Sequence, residues 1–182
     1  MPASAAPGLT VRRIRADEWA AVRDLRLEST SDPDAAVAFL ETPEQVAART
    51  DDFWRERSEK AATSETIAQF VAVIDGVWVG SLSVLIRATG QKDHLGRYVD
   101  DRRADVVGVY VNPGHRGAGT VDALLAAAAE WAAGLGLDRI SLDVHRDNHR
   151  AQGAYRRAGF APTGETYSSA IGPEIVMSRP LP

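Results

Sequence analysis

The chain contains no cysteine at all, which excludes disulfides, thiolate metal sites and a cysteine nucleophile while leaving the redox compartment open. A basic excess is also missing: 21 Lys and Arg stand against 25 Asp and Glu, a net charge of −4. A protein whose whole surface grips nucleic acid or anionic lipid carries the opposite balance, so any phosphate site has to be local. Long apolar runs are absent too. The Ala-rich stretch from Val121 to Leu137 is interrupted by Asp122, Glu130, Gly134 and Gly136 and is too short to cross a bilayer. The opening MPASAAPG offers neither a charged n-region nor an apolar h-region. Residues 1–8 are therefore expected to be a loose tail and 9–182 a single domain, with the cytoplasm as the default location.

What is present suits such a domain: 182 residues, 45% of them hydrophobic, can bury a sizeable core. LTVRRI reads as a strand. Asp17 then caps a helix in which Trp19, Val22, Leu25 and Arg26 recur at helical spacing. Pro43 to Lys60 reads as one helix, with proline at an early position. FVAVIDGVWVGSLSVLI is two β-branched runs joined at Asp75-Gly76, the strongest short-range hairpin signal a sequence carries. Arg87 to Arg103 reads as a long loop leading to a strand over Asp105 to Val111. After a glycine turn, Val121, Leu124, Leu125, Ala128, Ala132 and Leu135 make one helical stripe ending at Gly134 or Gly136. The strand RISLDV follows. Asn148 caps a further helix stopped by Gly159, and two strands around Phe160 to Tyr167 and Ile175 to Arg179 close the chain. This order predicts an α/β (α+β) fold: a mixed, mostly antiparallel central sheet flanked by helices on both faces.

The turn itself, NPGHRGAGT, is where exposed backbone N–H groups can meet phosphate. GHRGAGT has the two glycines of a nucleotide-gripping loop but Thr120 in place of its lysine. It also fails as a dinucleotide fingerprint, because Asp122 occupies the third glycine position. Nucleotide binding, which would show as stabilisation by ATP or NAD, is the weakest of the functional classes considered.

VYVNPGHRGAGTVDALL followed by DVHRDNHRAQGAYRRAGF resembles the two central motifs of the GNAT superfamily of acyl-CoA-dependent N-acetyltransferases, and a looser likeness runs from LTVRRIRADEW to the C-terminus. The family's loop motif is Arg or Gln, two residues, Gly, one residue, then Gly or Ala. Here it reads Arg116, Gly117, Ala118, Gly119, Thr120 and Val121, with Val121 the departure, expected to crowd the diphosphate. In the downstream motif Asn148, Ala151, Tyr155, Gly159 and Phe160 all match. The resemblance implies acetyl-CoA as co-substrate, with no metal. It also implies a small-molecule or peptide amine as acceptor, no nucleic-acid or membrane partner, and a homodimer as one admissible assembly. Cofactor contacts are expected from Arg116, Gly117, Ala118, Gly119, Thr120, Val121 and Asn148. The backbone of Val109, Tyr110 and Val111 is expected to run beside the pantetheine.

Transfer from a thioester to an amine needs a neutral amine, a polarised carbonyl and a proton for the departing sulfur. A lysine-like amine of pKa near 10.4 is neutral in about one molecule in 2,500 at pH 7, a deficit of roughly 4.6 kcal/mol, whereas an α-amine near 7.8 needs far less help. The resemblance assigns the acid role to Tyr155, whose family counterpart points its hydroxyl at the cofactor sulfur. Asp105 is the candidate base, at the start of the central strand where many members carry glutamate. Asp143, Glu174, His94, Tyr98 and a water relay stay open beside it. Residues 17–65 hold six basic and thirteen acidic side chains, an imbalance that would draw a cationic acceptor. Arg146, Arg150, Arg156 and Arg157 could hold a 3′-phosphate with Arg116 or His115. The alternative to catalysis is a non-catalytic acyl-CoA-binding module on the same fold.

Overall fold

The computed structural model describes residues 7–93 and 96–182. Seven strands form one sheet in the order β1-β2-β3-β4-β5-β7-β6: β1 Thr10–Arg13, β2 Ile67–Ile74, β3 Val77–Arg87, β4 Arg103–Val111, β5 Arg139–His145, β6 Ala161–Ser169 and β7 Gly172–Pro180. Every neighbouring pair is antiparallel except β4 and β5, which run parallel. The mixed, mostly antiparallel sheet expected from the order of elements is the one observed. The β2–β3 hairpin turns at Asp75-Gly76 with Ile74 opposite Val77, and φ is positive at both turn residues, as a type I′ turn requires.

Helices cover both faces. Along β2, Ala68, Phe70 and Ala72 join the larger core beneath α4 (Thr120–Gly134) and α5 (His149–Arg157). Val71, pointing the other way, joins Val22 of α1 (Trp19–Thr30) and Trp54 of α3 (Asp51–Thr63). Alternation along one strand thus separates the two layers. The membrane expectation concerns helices, and among the described residues no helix is long and apolar enough to cross a bilayer.

Two expectations change. The single helix over Pro43 to Lys60 is two: α2 (Pro43–Ala47) and α3 are separated at 48–50. The break occurs because Thr50 caps a new start, its side chain accepting from the Phe53 N–H at 3.2 Å, with Asp51 and Asp52 in the first turn to complement the dipole. Asp17 lies in a short 3-10 turn, Ala16–Glu18, and α1 proper begins at Trp19. Thr50→Ala is expected to cost about 1 kcal/mol of folding free energy; it would be read as a lower urea midpoint at constant slope.

The end of α5 follows the expected pattern. Gly159 N–H donates to the Arg156 carbonyl at 3.0 Å and Phe160 N–H to the Tyr155 carbonyl at 2.9 Å, the paired bonds of a Schellman cap.

Candidate active site

β4 and β5 pair only from Ala104–Ile140 to Val106–Leu142. Beyond that seam the strands part, and a cavity of about 760 Å³ opens between them, lined by Val107 to Val111 on one side and Asp143 to His145 on the other. The edge of β4 that would pair with β5 carries no strand partner there, so its peptide groups face the cavity. A bulge sits at the same place: one β3 residue, Leu82, stands opposite Gly108 and Val109. Gly108 holds φ at +63°, a left-handed conformation that suits glycine and re-aims the strand. Val109, Tyr110 and Val111 therefore all border the cavity, although the Tyr110 side chain turns away and donates to Glu28 at 2.9 Å.

At the end of β4, the Asn112 side chain accepts from the Gly114 N–H and its carbonyl from the His115 N–H. The chain then reaches Gly117 and Gly119, with φ of +78° and +77°. Between these glycines and the first turn of α4, the consecutive amides from Gly117 to Asp122 donate to no protein acceptor among the described residues. The first intrahelical bond there is Ala123 N–H to the Gly119 carbonyl, at 3.0 Å. These are the orphan donors of a helix start, carrying its positive dipole end, and Gly117, Gly119, Thr120, Val121 and Asp122 line the cavity. Thr120 is buried and bonds the His115 carbonyl. Val121 is half-buried and leans on the main core.

The Arg116 guanidinium faces inward. It donates to the Val111 carbonyl at 2.8 Å and pairs with Asp32 at 2.7 Å, so its visible task is to lock the turn to the end of α1. Arg150 is likewise tied to Asp34, at 2.6 Å. Arg157 lines the cavity with no ion pair among the described residues. Asn148 caps α5, accepting from the Ala151 N–H at 3.1 Å, and reaches the Val37 carbonyl at 3.4 Å.

Tyr155 is buried on α5 against Phe160 and lines the cavity. Its hydroxyl has no hydrogen-bond partner among the described residues, and burial raises its pKa well above the ordinary phenol value. The proton is firmly held and unshared.

The base candidates fall in different places. Asp105 lies inside the stretch where β4 and β5 are still joined, opposite Ser141. Arg103, two residues earlier on the same strand face, holds it at 2.7 Å. It does not line the cavity, so the structure does not bring it to the reaction. Tyr98 is 70% exposed, under the Lys92 ammonium. His94 lies outside the described residues. Asp143 lines the cavity and pairs with Arg97 at 3.1 Å. Glu174 lines it too, buried at the start of β7 opposite His145 and accepting from the Ser169 hydroxyl at 2.9 Å. Burial raises its pKa, with the neighbouring Asp143 charge acting the same way.

Several lining residues escaped the sequence reading. Gln69, Ser81 and Ser83 project from β2 and β3 into the cavity, with Arg26 and Arg57 from α1 and α3. Isolated polar residues inside otherwise apolar strands were the available signal for the first three. The acidic sum over 17–65 does not describe the cavity wall, because much of that charge is paired: Asp51 and Asp52 with Arg55, Glu56 with Lys60, Glu41 with Arg26 and Arg49.

Residues 19–160 match the model of the acetyltransferase (GNAT) family. The chain is 34% identical over 154 residues to an uncharacterised N-acetyltransferase of Mycobacterium tuberculosis, covering 82% of this chain and 85% of that one. It is 26% identical over 167 residues to an L-amino acid N-acetyltransferase of Escherichia coli, covering 90% and 91%. Its fold superposes with a TM-score of 0.70 on a phosphinothricin acetyltransferase from Sinorhizobium meliloti in complex with acetyl-CoA, at 18% identity over 96% of this chain and 89% of that one.

Proposed function

The chain belongs to the acetyltransferase (GNAT) family and is an acyltransferase, and from that premise we propose that it moves the acetyl group of acetyl-CoA to the primary amine of a small molecule or peptide, by direct attack, with Tyr155 as the acid. An E. coli relative named for L-amino acids supports a small acceptor. The observation that carries the reading is the run of unspent amides from Gly117 to Asp122 at the mouth of the cavity that also holds the unshared Tyr155 hydroxyl. A diphosphate fits such donors: a hydrogen bond to a charged group contributes roughly 1.5 to 3 kcal/mol, and the dipole about 0.3 to 2 more. The open edge of β4 supplies further amides, one of which can polarise a thioester carbonyl.

Acetyl-CoA supplies the thioester. In the exchange a C–N bond forms, the C–S bond breaks, the attacking nitrogen loses a proton and the sulfur gains one. Tyr155 donates toward the sulfur. Full transfer from a phenol near 10 to a thiolate whose thiol is near 8.5 is uphill by about 2 kcal/mol, and burial steepens it. The hydroxyl therefore acts by donating a hydrogen bond as charge develops and keeps its own proton; the nitrogen's proton passes to a base, and the released thiolate takes its proton from solvent. We assign the base's role to Glu174, which lines the cavity as Asp105 does not.

Glu174→Gln tests the assignment. A buried carboxyl is a base only above its raised pKa, so the acidic limb of kcat/KM in the parent is expected to carry an ionisation above the ordinary glutamate range, and in the variant to follow the amine alone. For an α-amine near 7.8 the neutral-form deficit at pH 7 is only about 1 kcal/mol, so the rate should fall roughly sixfold. Stability should move oppositely. A folded-state pKa raised above the unfolded value contributes stability that is complete below the unfolded pKa and lost as pH rises through the folded one. Glu174→Gln is thus expected to melt higher than the parent at pH 7, with the gain fading toward pH 4. The function is tested by thermal shift with coenzyme A, ATP and NAD and by thiol release with an amine panel. Stabilisation by coenzyme A alone, with release for at least one amine, is expected; binding without release for any amine would defeat the proposal.

A further inference from the structure

A side chamber of about 250 Å³ branches from the main cavity, and Arg57, Gln69, Ser83 and Leu85 wall both. Arg57 projects from α3 and makes no hydrogen bond or ion pair among the described residues. It is open to solvent within the cavity yet crowded by protein, and its pKa is lowered first by desolvation and then by the nearby Arg26 charge. The carboxylate closest to hand, Glu41, is already shared by Arg26 at 2.8 Å and Arg49 at 3.0 Å. Lys60 and Glu56, also on the chamber, neutralise one another at 2.7 Å. Glu41 acts on Arg57 only through space, and the guanidinium has no carboxylate bonded to it among the described residues.

Unspent donors surround it. Gln69 and Ser83 face each other across β2 and β3, both buried, and neither side chain bonds to a protein group among the described residues. One helical turn before Arg57, Trp54 lines the main cavity and its indole N–H is buried without an acceptor. A partnerless guanidinium beside donors that lack acceptors is a site short of an anion. The site also lies beside the β4 bulge, because Ser83 stands opposite Val107, next to Gly108.

We infer that the acceptor carries a carboxylate, held by Arg57 with Gln69 and Ser83 while its amine is presented at the β4 bulge; the acceptor class is the zwitterionic α-amino acids. This rests on the acetyl-transfer reading for its chemistry, but the anion site is a separate property and can fail alone.

The test compares a panel of L-α-amino acids with their carboxamides, for the parent, Arg57→Ala and Arg57→Lys, by KM and kcat and by calorimetric binding to the protein saturated with coenzyme A. The parent is expected to prefer acid over amide. Arg57→Ala should cut that preference about 10- to 100-fold through KM, and Arg57→Lys, which keeps charge but loses the fork, should fall between. The coenzyme A thermal shift reports that each variant is folded. Equal use of acids and amides by the parent, or an acid preference untouched in Arg57→Ala, overturns the inference while leaving acetyl transfer standing. Arg57-dependent binding of amino acids without turnover sustains the anion site and defeats the transfer reading.

Discussion

Tyr155→Phe is expected to lower kcat about 10²- to 10³-fold, the cost of removing one donor aimed at a developing charge, with KM for acetyl-CoA changed less than about threefold. The substitution removes one oxygen from a ring already packed against Phe160. It leaves no protein partner stranded, because among the described residues the hydroxyl has none. Stability should therefore hold or rise slightly, and the melting temperature is the control that separates lost chemistry from lost fold. The sharper readout is leaving-group dependence: an activated thioester, whose sulfur departs without a proton, should recover most of the lost rate. Equal loss with both donors would assign Tyr155 to packing.

Gly117→Val addresses the other half of the site. A Cβ there would meet nothing within 4 Å, so bulk is not the objection. The backbone is: φ is +78°, and a β-branched residue in that region is a genuine outlier costing about 1 to 2 kcal/mol or more. The chain is expected to relax by rotating the turn, which takes the following amides out of line. Losing two charge-assisted contacts raises KM for acetyl-CoA roughly 10²-fold, with kcat at saturation changed little. Dephospho-coenzyme A, which keeps the diphosphate, should suffer the same fold-loss as coenzyme A; if only coenzyme A loses affinity, the turn grips the 3′-phosphate instead.

What could be read ahead of the structure was whatever is encoded locally. Asp75-Gly76 dictates its hairpin through backbone preference alone, and Asn148 with Gly159 brackets α5 by capping. The glycine turn at Gly117 and Gly119 was legible for the same reason. The break before α3 was not, since helical periodicity continues across it and only the Thr50 cap interrupts. Asp105 shows a different limit. Whether a strand residue faces open space depends on where β4 leaves β5, and a carboxylate's availability depends on Arg103. Arg57 is the converse. Nothing in DDFWRERSEK distinguishes it from Arg55, which is paired with Asp52; the contrast exists only once α3 lies across the sheet.

The parting of β4 and β5 has a consequence for how the enzyme keeps its shape. The two leaves of the sheet, β1 to β4 and β5 to β7, share only a short parallel hinge. On the proposed reading, peptide groups that an unbroken sheet would satisfy are the ones that take up the incoming thioester arm. Bonds that folding leaves unmade would then be made by the ligand, and a ligand present at a hundred times its dissociation constant adds about 2.7 kcal/mol to the intact state. On that reading the working enzyme is a sheet completed by what it consumes.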